Sequence, residues 1–427
     1  MIASVNRQPI LNAQFNMEGF ELLPRREVNE DSPATTYSGE DSSICRVLTN
    51  AFCGFRKEQL LNGGTAYVEV TNNLAREGLA TLYSPDRFII EIPPNLFLND
   101  ELADMYSALH HRGYMLALKS YTPTAERSGN LKYLNMFDAV RIDIRKYHRL
   151  EVKQSVKMLR KYRVRILAEN VETPEDLAFA RELGFDLYQG RVFGEPAALS
   201  RKVSLREMPY GKLFNHLLTG RVNRALCGHI ILEDPAMTHM FFRKIFNSMY
   251  NRNNVEGEVE RGLSYIGDDK LRHWAAVLLL DQGCLDGREE LVPQAYRRGL
   301  LMEGLASAVD LGVPYGKAFM FGVASALDGI LGESTEELSN QLALGKTMRA
   351  ALLSREDNGY TALLEAAEAF EAEPEKEGKP PKMPSALSVL GPKFLSDLYW
   401  KCQVNTEYIT LSLEYTVPEA YKGNILH

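Results

Sequence analysis

Glu169, Glu172 and Gln189 stand where a chain of this pattern would do chemistry. They lie in the stretch 165–196, RILAENVETPEDLAFARELGFDLYQGRVFGEP. Its apolar opening at 165–168 predicts a buried strand, and Glu169 and Glu172 fall just past it, on a turn. Thr173 and Pro174 then open a helix: threonine caps free amides, proline fits the first turn, and Glu175 and Asp176 favour the positive end. Leu177, Ala180, Arg181 and Leu183 continue a helical stripe that ends at Gly184. A second strand is predicted over 186–193 and carries Gln189. The unit is strand, helix, strand, with polar groups at the carboxyl ends of its strands, which form the active face of a parallel barrel. The plainer reading is a generic unit of this kind with incidental acids.

The elements that would position these groups recur along residues 1–200. Strand-like runs fall at 6–11, 19–25, 65–71 (TAYVEVT), 87–92 (RFIIEI), 115–121 and 139–144 (AVRIDI), and helix patterns at 38–51, 74–82, 99–112, 131–136 and 147–162. About eight strands alternating with helices predict an α/β barrel of the TIM type. From Leu205 onward only helical stripes remain, at 234–249, 259–266, 271–280, 291–311, 316–331, 335–354 and 392–400, with a capping box at 334–337. Met237, Met240, Phe241, Ile245, Phe246 and Met249 form an apolar stripe read as core. Residues 371–384, EAEPEKEGKPPKMP, predict a flexible loop, and 404–427 reads as loosely held. An all-helical domain at 205–427 is therefore expected behind a barrel at 1–200.

A chain of 427 residues suggests two or three domains with ample core. Its 45% hydrophobic and 25% charged residues are those of an ordinary globular protein. A net charge of −7, with no apolar run of spanning length and no signal-peptide layout, argues against nucleic-acid and membrane roles. Five cysteines, odd in number and without zinc spacing, fit a reduced, cytoplasmic setting. The eight histidines are dispersed; His216, His229, His239 and His273 read as surface or satisfied core residues. Arg145, Lys146, Arg149, Lys153, Lys157, Arg160, Lys161, Arg163 and Arg165 crowd one helix and its exits. They read as a solvated outer helix ahead of an anion- or partner-docking face.

AENVET at 168–173 and LGFDLYQGRVFGEP at 183–196 resemble the last third of an EAL domain, the barrel that hydrolyses cyclic di-GMP. QPI at 8–10 and GFELLPR at 19–25 resemble that family's opening, with ELL for EAL. The resemblance implies one antiparallel strand in the barrel and a reaction with two divalent cations, held by carboxylates and an amide. Carried over by position, it assigns ligand or substrate roles to Glu21, Arg25, Glu91, Asp143, Glu169, Glu172 and Gln189. Four positions depart. Glu69 replaces an asparagine ligand, Lys119 and Ser120 replace paired aspartates, and Arg141 replaces the catalytic lysine. A lysine beside a divalent ion costs several kcal/mol at an effective dielectric of roughly 20. Lys119, helped by Arg141, is thus expected to serve Glu21, Glu69 and Glu91 as a counter-ion, the alternative being that it snorkels to solvent.

Three later stretches, at 232–248, 264–274 and 322–332, resemble an HDOD domain by their order and spacing, without the histidine–aspartate pair of metal-dependent relatives. Together the resemblances imply a non-catalytic signalling scaffold without catalytic residues or resident cofactor, whose HDOD half binds signalling proteins. The alternatives are a cyclic di-GMP receptor and a weak residual phosphodiesterase, which alone would need magnesium or manganese. A homodimer is a further expectation.

Overall fold

The computed structural model describes residues 1–24, 40–93, 100–121, 130–246, 254–285, 287–372 and 380–414, with backbone alone for 130–132 and 407–414. Arg25 and residues 373–379 of the expected loop lie outside the described residues.

The barrel is a closed ring of eight strands: β1 (Ile2–Asn12), β2 (Met17–Leu23), β3 (Thr65–Glu69), β4 (Ile89–Ile92), β5 (Leu116–Leu118), β6 (Ala139–Asp143), β7 (Arg165–Glu169) and β8 (Leu187–Tyr188). β1 runs antiparallel to both neighbours, β2 and β8, and the strands from β2 round to β8 are parallel. The reversal is a tight turn in which Asn12 Oδ1 accepts from the amides of Gln14 and Asn16, both at 3.0 Å. The expected barrel with one antiparallel strand is therefore present. A ninth strand, β9 (Ala197–Lys202), adds to β1 outside the ring. The sequence reading ended strand patterning at Pro196 and missed β9, because its side chains are mostly exposed and leave no apolar alternation.

Helices α1 (Glu40–Gly54), α2 (Lys57–Leu61), α3 (Asn72–Arg76), α4 (Asp100–His111), α5 (Arg149–Leu159) and α6 (Pro174–Glu182) fall between the strands. The α6 start follows its sequence signature: Thr173 Oγ1 accepts from the Asp176 amide and Asp176 Oδ2 from the Thr173 amide, each at 3.1 Å. Inside the barrel, Ile10, Tyr67, Ile89, Ala117, Ala139, Leu167 and Leu187 form one apolar layer with a residue from every strand but β2.

Among the described residues, no strand follows Lys202. Twelve helices do: α7 (Pro209–Leu218), α8 (Arg224–Leu232), α9 (Pro235–Phe246), α10 (Val255–Tyr265), α11 (Asp268–Gly283), α12 (Leu291–Ala308), α13 (Tyr315–Ala324), α14 (Leu327–Leu331), α15 (Thr335–Gln341), α16 (Lys346–Leu352), α17 (Gly359–Ala372) and α18 (Pro392–Glu414). α12 packs on α13, α17 and α18. The stripes at 316–331 and 335–354 are each broken into two helices, and α7, α8 and α17 had no counterpart in the sequence reading. α18 corrects it at the other end, since helical backbone continues to Glu414 where a loose segment was expected.

Two compact units result. One holds residues 3–24 and 43–201; the other holds 1–2, 40–42 and the described residues from 202 onward. In the second, Asp41 pairs with Arg243 at 3.3 Å and Ser42 Oγ donates to Asp281 Oδ2 at 3.1 Å. Among the described residues no helix is long and apolar enough to cross a membrane.

Candidate functional site

Side chains alternate faces along a strand, so the residue two beyond each member of the apolar layer also points inward. Two beyond Tyr67, Ile89, Ala117, Ala139, Leu167 and Leu187 lie Glu69, Glu91, Lys119, Arg141, Glu169 and Gln189. Glu21 of β2 lies level with Tyr67 and joins them. One period of two thus places six polar side chains directly above the apolar layer, at the carboxyl ends of the parallel strands, and Glu21 reaches them from the level of Tyr67.

Arg141 occupies the middle of this layer and is only 1% exposed. Its Nη2 donates to Glu21 Oε2 at 2.9 Å and to Gln189 Oε1, and its Nη1 donates to Glu91 Oε1. Its Nε lies 2.5 Å from Glu169 Oε1, an ion-pair contact without hydrogen-bond alignment. Gln189 Nε2 donates to Glu21 Oε2 at 2.7 Å. Lys119 Nζ lies 3.0 Å from Glu21 Oε1 and 2.5 Å from Glu69 Oε2. Lys119 therefore does not snorkel away. It pairs with two of the three acids expected of it, while Glu91 pairs with Arg141. Glu91 Oε2 is buried without a hydrogen-bond partner.

Burial pushes the Glu21 carboxyl up, but Arg141 and Lys119 more than offset it and hold the group at about 2. Burial pulls Lys119 and Arg141 down, and the surrounding carboxylates more than reverse this, so both stay cationic. Glu169 goes the other way. Burial raises it, the contact with Arg141 only partly opposes this, and Glu21 and Asp143 add like-charge repulsion.

Asp143 and Glu172 stand apart from this cluster. Asp143 Oδ1 accepts from the amides of Arg145 and Lys146, both at 3.0 Å, and its Oδ2 from Asn170 Nδ2 at 2.9 Å. Glu172 pairs with Arg145. Arg145 and Asn170 were missed as site residues. Arg145 was hidden in the basic run, and Asn170 is marked only by its left-handed backbone, with φ of 58°. Ser120 also takes a left-handed conformation, with φ of 50°. Gly190 follows Gln189 under close constraint, since a Cβ there would stand 2.2 Å from the Val171 carbonyl oxygen. In the helical unit His273 is satisfied: Tyr296 Oη lies 2.9 Å from its Nδ1, Glu303 Oε2 lies 3.2 Å from its Nε2, and Phe319 stacks on the ring.

The pair of divalent cations implied by the resemblance does not fit these residues. Oxygens of Glu21, Glu69, Glu91 and Glu169 face Arg141 and Lys119 where ions would sit, and among the described residues no three His, Cys, Asp or Glu side chains are arranged to hold a metal. All three Arg141 nitrogens are spent on Glu21, Glu91, Glu169 and Gln189, so the fork is not free to grip a phosphate.

A family model of the EAL domain matches residues 58–196, which leaves the ELL segment of Glu21 outside the match. Among curated proteins, the chain is 27% identical over 373 residues to cyclic di-GMP phosphodiesterase CdgJ of Vibrio cholerae, covering 86% of this chain and 84% of that protein. It is 27% identical over 380 residues to YuxH of Bacillus subtilis, an uncharacterized protein, covering 86% of this chain and 90% of that one. Both alignments are too long to be confined to the barrel. Among solved structures, the PaMucR phosphodiesterase in complex with cyclic di-GMP matches at 20% identity and TM-score 0.36, over 45% of this chain and 90% of that one. The FimX EAL domain matches at 15% identity and TM-score 0.38, over 46% and 91%.

Proposed function

We propose that this chain is a cytoplasmic, non-hydrolytic signalling scaffold: a degenerate EAL barrel at about residues 1–200, followed by an HDOD-type helical domain that binds signalling proteins. The reading rests on one observation, the Arg141 and Lys119 cations seated among the acids at the barrel mouth. A phosphodiesterase of this kind needs those acids free for metal. Here the protein supplies the positive charge itself, in a form that activates no water.

The test is calorimetric titration of the full chain with cyclic di-GMP, with and without magnesium, followed by a product assay. The expected result is no linear dinucleotide above a Glu21→Ala control. Product well above that control refutes the scaffold reading. It would favour a residual phosphodiesterase with Glu69 as replacement ligand, the reading the V. cholerae relative's name supports. Binding without product would make the barrel a receptor.

A further inference from the structure

α18 carries two different faces. Towards the helical core it buries Leu395, Cys402 and Thr406. Leu398 lies against Gly304 of α12, where an added Cβ would come within 2.3 Å of it. Tyr399 stacks on Phe370 of α17, with ring centroids 5.2 Å apart, and Gln403 accepts from Arg297 at 2.6 Å. At 100° per residue, Lys393, Phe394, Asp397, Trp400, Lys401 and Val404 fall together in an opposite arc of about 120°. All six are exposed, and the three apolar ones strongly so: Phe394 41%, Trp400 58% and Val404 60%. Exposed tryptophan is unusual enough to ask what covers it.

The charges on this arc select an occupant. Among the described residues Asp397 and Lys401 have no ion-pair partner, and they lie one turn apart. Set two copies of α18 antiparallel about a two-fold axis passing beside residue 399. Asp397 then faces Lys401 of the second copy, and the same pair forms again by symmetry. Phe394 faces Val404, also twice, and the two Trp400 rings close the centre. A two-fold interface must be self-complementary in this way. An anionic surface would be met by Lys393 and Lys401 but repelled by Asp397 between them, whereas a second α18 satisfies every charge near the centre.

We propose that the outer face of α18 is a homodimer interface, formed by antiparallel pairing of this helix with that of a second copy. One helix pair is a small interface, so the dimer is expected to form reversibly.

Sedimentation velocity on the full chain over a range of concentrations tests this. Wild type is expected to pass from monomer to dimer. Asp397→Lys and Lys401→Asp each turn two attractive pairs into two repulsive ones and should raise the dimer Kd by about tenfold. The double swap restores both attractions and should return the Kd to within about threefold of wild type, an outcome no general loss of folding could produce. Trp400→Glu should leave a monomer whose melting temperature is unchanged. A wild-type chain that stays monomeric at every concentration overturns the proposal. So does a dimer indifferent to the single swaps, or one that the double swap fails to restore.

Discussion

Arg141 and Lys119 are both counter-ions, yet they differ in what their loss would expose. Removing Arg141 leaves Glu21, Glu91 and Glu169 buried without their shared cation, and breaking buried pairs from one side costs about 3–5 kcal/mol. Lys119 is more accessible and Glu21 keeps Arg141 without it, so its loss should cost less, about 1–3 kcal/mol. Urea unfolding should therefore rank Arg141→Met below Lys119→Met and both below wild type. Equal stabilities would mean that desolvation cancels these pairs. Added magnesium should partly restore Lys119→Met, because Glu21 and Glu69 then lack their ammonium. The pH dependence should have two limbs of opposite sign. Glu21 is held at about 2, below its ordinary 4.5, so its contribution is full above 4.5 and is lost as pH falls towards 2. Glu169 is held above its ordinary value by burial, so its ionisation weakens the fold as pH rises through that raised value. Unfolding free energy against pH should lose its acid limb in Glu21→Gln and its upper limb in Glu169→Gln. A profile unchanged by both would contradict the coupling described here.

At the scale of elements, close backbone approach sets tolerances that side-chain chemistry does not reveal. Gly190 lies two residues past β8, against Val171, and the 2.2 Å approach a Cβ would make is to backbone, which cannot swing aside. Gly190→Ala should cost about 2–4 kcal/mol and displace Gln189 from Arg141 and Glu21. A melting temperature within a degree of wild type would rule this out. In the helical unit a Cβ on Gly322 would lie 2.8 Å from Gly299 Cα, so α12 and α13 cross at a point with room for hydrogen alone. Gly322→Ala should lower stability by about 1–3 kcal/mol in the same assay, and a neutral result would place slack at this crossing. The barrel was legible in the sequence because alternation and turn residues repeat, and the mouth because its residues stand at positions carried over from the family resemblance. The length of β8 was not: a strand is read over 186–193, but it closes after Tyr188, two residues before Gly190. Nor was the end of α18. Val404, Thr406, Ile409 and Thr410 are β-branched and weaken the helical signal. The tie from Arg145 to Glu172 was hidden because nothing local separates one arginine of a basic run from the rest.

For the whole molecule, the linear order of the chain is not the order of its compact units. Residues 40–42 begin α1 but belong with the helical unit, through the contacts of Asp41 with Arg243 and Ser42 with Asp281. Asp41→Asn combined with Ser42→Ala should weaken the helical unit by about 1–2 kcal/mol. Hydrogen exchange of α9 and α11 amides is the direct reading, with protection unchanged in both helices as the contrary result.

The Arg141 fork also makes the present state of the barrel hard to leave by mutation. Changing Lys119 to aspartate would add a fifth acid to Glu21, Glu69, Glu91 and Glu169 and remove one of their two cations. Changing Arg141 to lysine would keep the charge but replace a fork spanning Glu21, Glu91 and Glu169 with a single ammonium that cannot reach all three. Without an added ion, each single step towards a metal-holding mouth therefore lowers stability. The layer acts as an evolutionary ratchet. A mouth that holds metal at full stability would require changes at 119 and 141 that arrive together.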